Sequence, residues 1–212
     1  MLLTIVMLAG LSMVTHDDGQ RVDAVRTVDR VDLDRYLGDW YEIARFPNRF
    51  QRACAGDVKA IYAKRADGRI DVINRCRTAD GVVEARGVAR VADARTSAKL
   101  KVRFAPAVLS FLPFVWGDYW ILGLAGDYSW AVVGSPDRRY LWILARAPAL
   151  EADRLEPALA AARANGFDVG RLVSTRHTGP GAHGAADPGL FRPRPCDPAF
   201  WPSSPDAAAG NP

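Results

Sequence analysis

Histidine is scarce in this chain: three residues in 212, at His16, His177 and His183. All three fall outside the stretch where regular structure is expected, so a core site lacks the commonest general base and metal ligand. Cysteine is as rare, at Cys54, Cys76 and Cys196, and no His/Cys cluster has zinc-site spacing. There is no glycine-rich phosphate loop. Neither a metal nor a cofactor is expected. Charge of one sign is not in large excess either: 28 Lys and Arg stand against 24 Asp and Glu. The cations are interleaved with acids rather than gathered into a stripe, so nucleic acid is not an expected partner.

The chain has one long apolar run, Leu2 to Val14, too short to span a bilayer comfortably. Residues 1–20 suit a secretory signal with Gly10-Leu11-Ser12 as a small-residue cleavage site, although no Lys or Arg precedes the run. Leu11 stands where a lipoprotein signal carries cysteine. Export to the periplasm or cell envelope without a lipobox anchor is therefore expected. Export permits a disulfide, and the pairing expected is Cys54 with Cys76, which flank a β-hairpin, leaving Cys196 over. Three cysteines allow three single pairings, and the alternative is that all are free and buried.

Between residues 37 and 146 short β-favouring runs alternate with turn signals such as Ala66-Asp67-Gly68, Ala79-Asp80-Gly81 and Ala125-Gly126-Asp127. Eight strands are expected, near 38–46, 57–64, 70–77, 83–92, 98–104, 118–125, 128–134 and 140–146. Strands joined so closely are antiparallel neighbours. Period two is clearest at Lys99-Leu100-Lys101-Val102-Arg103-Phe104, with cations on one face and apolar groups on the other. A strand with one wet and one dry side suits an all-β, eight-stranded antiparallel up-and-down barrel, a size with room for one small ligand. Leu150 to Asn165 reads as one C-terminal α-helix packed outside, with Leu155, Leu159 and Ala162 on one face. Pro157 predicts a kink, or a start at Glu156. Residues 177–212, rich in Gly, Pro and Ala, read as a disordered tail.

The run Leu37-Gly38-Asp39-Trp40-Tyr41-Glu42-Ile43-Ala44-Arg45 closely resembles the first strand of lipocalins, whose signature is Gly-x-Trp. Phe50, Val72-Ile73-Asn74, Gly126-Asp127-Tyr128 and Tyr140-Leu141-Trp142-Ile143-Leu144-Ala145-Arg146 follow in the order and spacing of bacterial lipocalins and their apolipoprotein D relatives, over residues 31–176. The resemblance implies that Trp40 plugs the closed end of the barrel with Arg146 stacked across it, and that Gly38, Asp127 and Tyr128 are structural. It also implies that Trp116 and Trp142 touch a fatty acid or lysophospholipid.

Alternation by itself points Ala60, Tyr62, Val72, Asn74, Leu100, Val102, Phe104, Tyr119, Ile121, Trp142 and Leu144 inward, an apolar cup with a few polar tips. Such residues either hold a ligand or simply fill the barrel. An inward Asn74 is either satisfied by structural hydrogen bonds or orients a head group. The apolar segment 105–116 needs cover and is expected to act as a lid, a homodimer contact or a membrane-surface contact. The function expected is carriage or storage of a hydrophobic ligand without catalysis. The alternative is an enzyme acting on a lipid or isoprenoid in the same cavity, with Glu42 or a free Cys54 as reagent.

Overall fold

Every turn signal named above falls between two strands, so the hairpins close where short polar residues and glycine permit it. The computed structural model describes residues 24–179; the signal-like segment, His16, His183, Cys196 and most of the expected tail lie outside the described residues. The strands are β1 Gly38–Arg45, β2 Gly56–Lys64, β3 Ile70–Thr78, β4 Gly81–Val91, β5 Lys99–Arg103, β6 Gly117–Leu124, β7 Trp130–Gly134 and β8 Leu141–Ala145. Each pairs antiparallel with its sequence neighbour, and β1 pairs with both β8 and β2, which closes the sheet into a barrel. Trp40 opposite Ala60, and Ala60 opposite Asn74, set one inward row across three strands.

Two short elements escape the pattern. A four-residue helix α1, Leu33–Tyr36, is capped by the Asp32 side chain, which accepts from the Asp34 and Arg35 amides. Near the end of the described chain, β9 (Val173–Ser174) pairs with the outer end of β1. The ladder between β1 and β2 runs only from Gly38 to Tyr41. Beyond it the segment 173–178 takes over, since Thr175 N donates to Ile43 O and Asp57 N donates to Arg176 O. Gly56 permits that approach, because a Cβ there would lie 2.5 Å from the Arg176 carbonyl oxygen. His177 and Thr178, expected to open the tail, are thus held against the barrel wall: Thr178 N donates to Asp57 Oδ1 at 2.7 Å.

Helix α2, Ala152–Ala164, packs its buried Leu155, Ala158, Leu159 and Ala162 on the outside of β6 and β7. It begins at Ala152 rather than at Glu156 and runs on through Pro157. Pro157 sits on the solvent face, where water can hydrate the Asp153 carbonyl that loses its donor. The apolar residues therefore divide into an inner cluster around Trp40, Leu100 and Ile121 and an outer one between the barrel and α2.

Candidate functional site

The floor of the barrel is built on Trp40, which is 0% exposed. Its indole Nε1 donates to Tyr36 O at 2.8 Å. The Arg146 guanidinium lies 3.9 Å from the ring centroid and donates to the Asp39 and Arg35 carbonyls. Gly38 holds a φ of +90°, a conformation open to glycine at no steric cost. At the same end the Tyr128 hydroxyl accepts from Asp32 N, Arg35 lies over the Tyr128 ring, and Asp127 pairs with Arg154 of α2. This turn fastens α1 and α2 to the closed end.

Above the plug sit three tyrosines. The Tyr119 hydroxyl lies 2.8 Å from that of Tyr36 and 2.9 Å from that of Tyr62. With Leu100, Val72 and Val102 they leave a cavity of about 20 Å³, room for about one water. The lower barrel is therefore filled. A larger cleft of about 350 Å³ lies at the closed end, where Arg30, Asp32, Asp34 and Lys64 rim it and Val31, Leu33, Leu37 and Ile70 line it; Leu33, Leu37 and Ile70 also line the small cavity.

Burial pushes the Tyr62 hydroxyl up to about 12, and it raises Tyr36 and Tyr119 as well. In the unfolded chain a tyrosine ionises near 10. Between those values the native state keeps a proton that the unfolded state has lost, so stability present in full below about pH 10 declines as the pH rises toward 12. Urea midpoints measured from pH 8 to 11.5 are expected to fall with a steeper slope for the wild type than for Tyr62→Phe; equal slopes would remove Tyr62 from the account.

The upper barrel differs. Ala60, Asn74, Val102 and Trp142 share the inner face with Tyr62, Val72, Leu100 and Tyr119, yet each is only half-buried. Phe104, two residues beyond Val102, is 44% exposed, and its ring sits where a Cβ on Gly87 would be, 2.8 Å away. Inward groups that still meet solvent describe an open cup. Among the described residues the Asn74 amide makes no hydrogen bond, so the structural bonds expected for it are not formed.

Trp116 does not join this group. The β5–β6 ladder sets Val102 opposite Gly117, so Gly117 faces inward and Trp116 faces out. The guanidiniums of Arg90 and Arg103 lie 4.7 and 5.2 Å from its ring centroid. Arg103 is itself buried under the 105–116 segment, donating to the Ala105 and Pro106 carbonyls. That segment leans on the outer wall, while Phe111 and Phe114 are 75% and 80% exposed. It is not folded over the mouth as a lid.

Three residues of the upper wall were not anticipated from sequence: Gln51, Thr175 and Arg45. Glu42, inward as its parity with Trp40 implies, is 2% exposed. Its carboxylate accepts from Gln51 Nε2 and Thr175 Oγ1, with Arg45 Nη1 at 3.7 Å. Burial raises its pKa against the lowering effects of Arg45 and these hydrogen bonds. Cys54 and Cys76 form the expected disulfide, which ties the loop carrying Gln51 to β3.

A closed eight-stranded barrel, plugged at one end by an arginine-stacked tryptophan and open at the other through an apolar cup, is a binding barrel for one small hydrophobic molecule. The chain belongs to the lipocalin family: the family model of the lipocalin-like domain matches residues 31–177. It is 40% identical to outer membrane lipoprotein Blc of Escherichia coli K12, over 73% of this chain and 84% of that protein. It is 39% identical to temperature-induced lipocalin-1 of Arabidopsis thaliana, over 71% of this chain and 82% of that one. Mouse apolipoprotein D is 30% identical over 69% and 77% respectively. Among solved structures, insecticyanin of the tobacco hornworm Manduca sexta superposes with a TM-score of 0.59 at 20% identity, covering 76% of this chain and 88% of that one, a likeness of fold.

Proposed function

We propose that the protein carries or stores a single-chain lipid, a fatty acid or lysophospholipid, in the cell envelope and catalyses nothing. The observation that carries this reading is the row of inward yet solvent-reaching side chains, Ala60, Asn74, Val102, Phe104 and Trp142, above a filled floor. An acyl chain in such a cup contributes about 0.8 kcal/mol for each methylene removed from water. The bacterial relative's description as an outer membrane lipoprotein supports the envelope setting. The disulfide occupies Cys54, the thiol that an enzymatic reading would use as nucleophile.

The rim supports loading from a membrane. Phe50, Val82, Phe104, Val108, Phe111 and Phe114 are all exposed, and all belong to the segments 46–55, 78–83 and 104–116 that surround the open end. A ring of apolar tips around the entrance suits an acyl-chain boundary, with Arg49 and Arg139 close by for phosphates. The test incubates the protein with phosphatidylglycerol/phosphatidylethanolamine vesicles doped with oleic acid and lysophosphatidylethanolamine, then weighs the recovered protein by native mass spectrometry. One lipid per chain is expected, and Phe111→Ser with Phe114→Ser should load several-fold more slowly. Lipid-free protein would overturn the carrier reading. A wild-type dimer, with unchanged loading in the variant, would assign the rim to self-association instead.

A further inference from the structure

One polar station on the inner wall is already occupied from within the chain. The Gln51 amide places Nε2 2.6 Å from Glu42 Oε2, and its Oε1 lies 3.1 Å from Trp142 Nε1. A single primary amide thus bridges a carboxylate acceptor and an indole donor, while its Oε1 also accepts from Asn48 Nδ2 of its own loop at 2.7 Å. The two hosts stand on adjoining strands, β1 and β8, fixed by the pairs Glu42 with Leu144 and Arg45 with Trp142. The occupant comes from a loop, at the end of a short 3-10 turn held by the Asn48 cap. Tyr140 stacks on Trp142 at 5.8 Å and Phe50 meets Tyr140 at 5.9 Å, so an aromatic wall leads from the lip to this station.

We propose that Glu42 and Trp142 form a receptor for the uncharged, donor-and-acceptor end group of a lipid, a primary amide or a hydroxyl, which displaces Gln51 on binding. The proposal rests on the carrier reading and narrows it to amphiphiles whose polar end at this wall is neutral, the glycerol hydroxyl of a lysophospholipid or a protonated fatty acid included. An end group in place of the Gln51 amide must accept from the indole N–H and donate to the carboxylate. A carboxylate ion satisfies the first and not the second, and two carboxylates in one desolvated site do not both ionise readily. A trimethylammonium group suits Glu42 but leaves the indole without an acceptor. The charged or titratable groups around Glu42 are Arg45 on β1 and His177, whose Nε2 contacts the Glu42 carbonyl oxygen and whose Nδ1 lies 4.0 Å from Asp57. Arg45 and Thr175 remain to hold the carboxylate when Gln51 leaves, so displacement does not strand a bare charge.

Isothermal titration at pH 8 with decanamide, 1-decanol and decanoate, three ligands of one chain length, tests the receptor. Decanamide and decanol are expected to bind tighter than decanoate by about ten-fold or more, the scale on which a like-charge contact discriminates. In Glu42→Gln, where the amide can still bond Gln51 and Thr175, decanoate should gain and the gap close. In the wild-type protein the Trp142 indole N–H resonance should shift on adding decanamide. Equal affinities, a preference that survives Glu42→Gln, or an unmoved Trp142 resonance would overturn the receptor. If all three bind alike, the carrier reading stands and the receptor alone falls; if none binds, both fall.

Discussion

Trp40→Ala is expected to destabilise the protein by about 3–5 kcal/mol, the range for emptying the site of a buried large aromatic. The residue is 0% exposed, and its neighbours cannot collapse into the space easily. Arg146 is held across the ring face by bonds to the Asp39 and Arg35 carbonyls, and Tyr36 is held beside it by its hydroxyl bond to Tyr119. The truncation also removes the ring under the Arg146 guanidinium and the donor to Tyr36 O. Trp40→Phe should cost clearly less, since it keeps an aromatic face and most of the volume. Urea denaturation gives both values. A loss under about 1 kcal/mol for Trp40→Ala, below the usual cost of emptying a packed core, would mean that the closed end is sealed by α1 and not by the indole.

The barrel itself was legible because strands such as β5 alternate in polarity, and Lys99, Lys101 and Arg103 do face away from the cup that Leu100 and Val102 line. The motif residues were legible by a different route, the resemblance to lipocalins, and Gly38, Trp40 and Arg146 do meet at the closed end. Trp116 shows how parity outranks resemblance. Counting back in twos from Tyr119 puts Gly117 inside and Trp116 outside, and the ladder agrees. Arg45 escaped because a bulge between Glu42 and Ala44 shifts the alternation by one, so that it joins Glu42 and Trp142. Gln51 and Thr175 lie in segments without periodicity, where nothing local says which way a side chain points. β9 is two residues long, too short for any pattern, and exists because β1 and β2 part company beyond Tyr41.

Replacing the disulfide pair, Cys54→Ala with Cys76→Ala, should cost about 3 kcal/mol. Cross-linking cysteines 22 apart in sequence removes loop-closure freedom from the unfolded chain by roughly that amount in the chain-entropy account. The loss should be local as well as global. The 46–55 loop is anchored at its start by Phe46, buried against Phe167 and under Arg171, and near its end by Cys54. Between those anchors Asn48 and Gln51 make the contacts that hold it over the cup. With the second anchor gone, amide exchange should quicken from Arg49 to Gly56 while the backbone around Trp40 and Tyr36 keeps its protection up to the new global limit. A variant with normal exchange in the loop and a stability loss below about 1 kcal/mol, well under the loop-entropy figure, would show that the Gln51 and Asn48 hydrogen bonds hold the loop by themselves. The covalent tie would then act on the unfolded chain less than its span implies, and the station at Glu42 and Trp142 would be kept filled by hydrogen bonding alone.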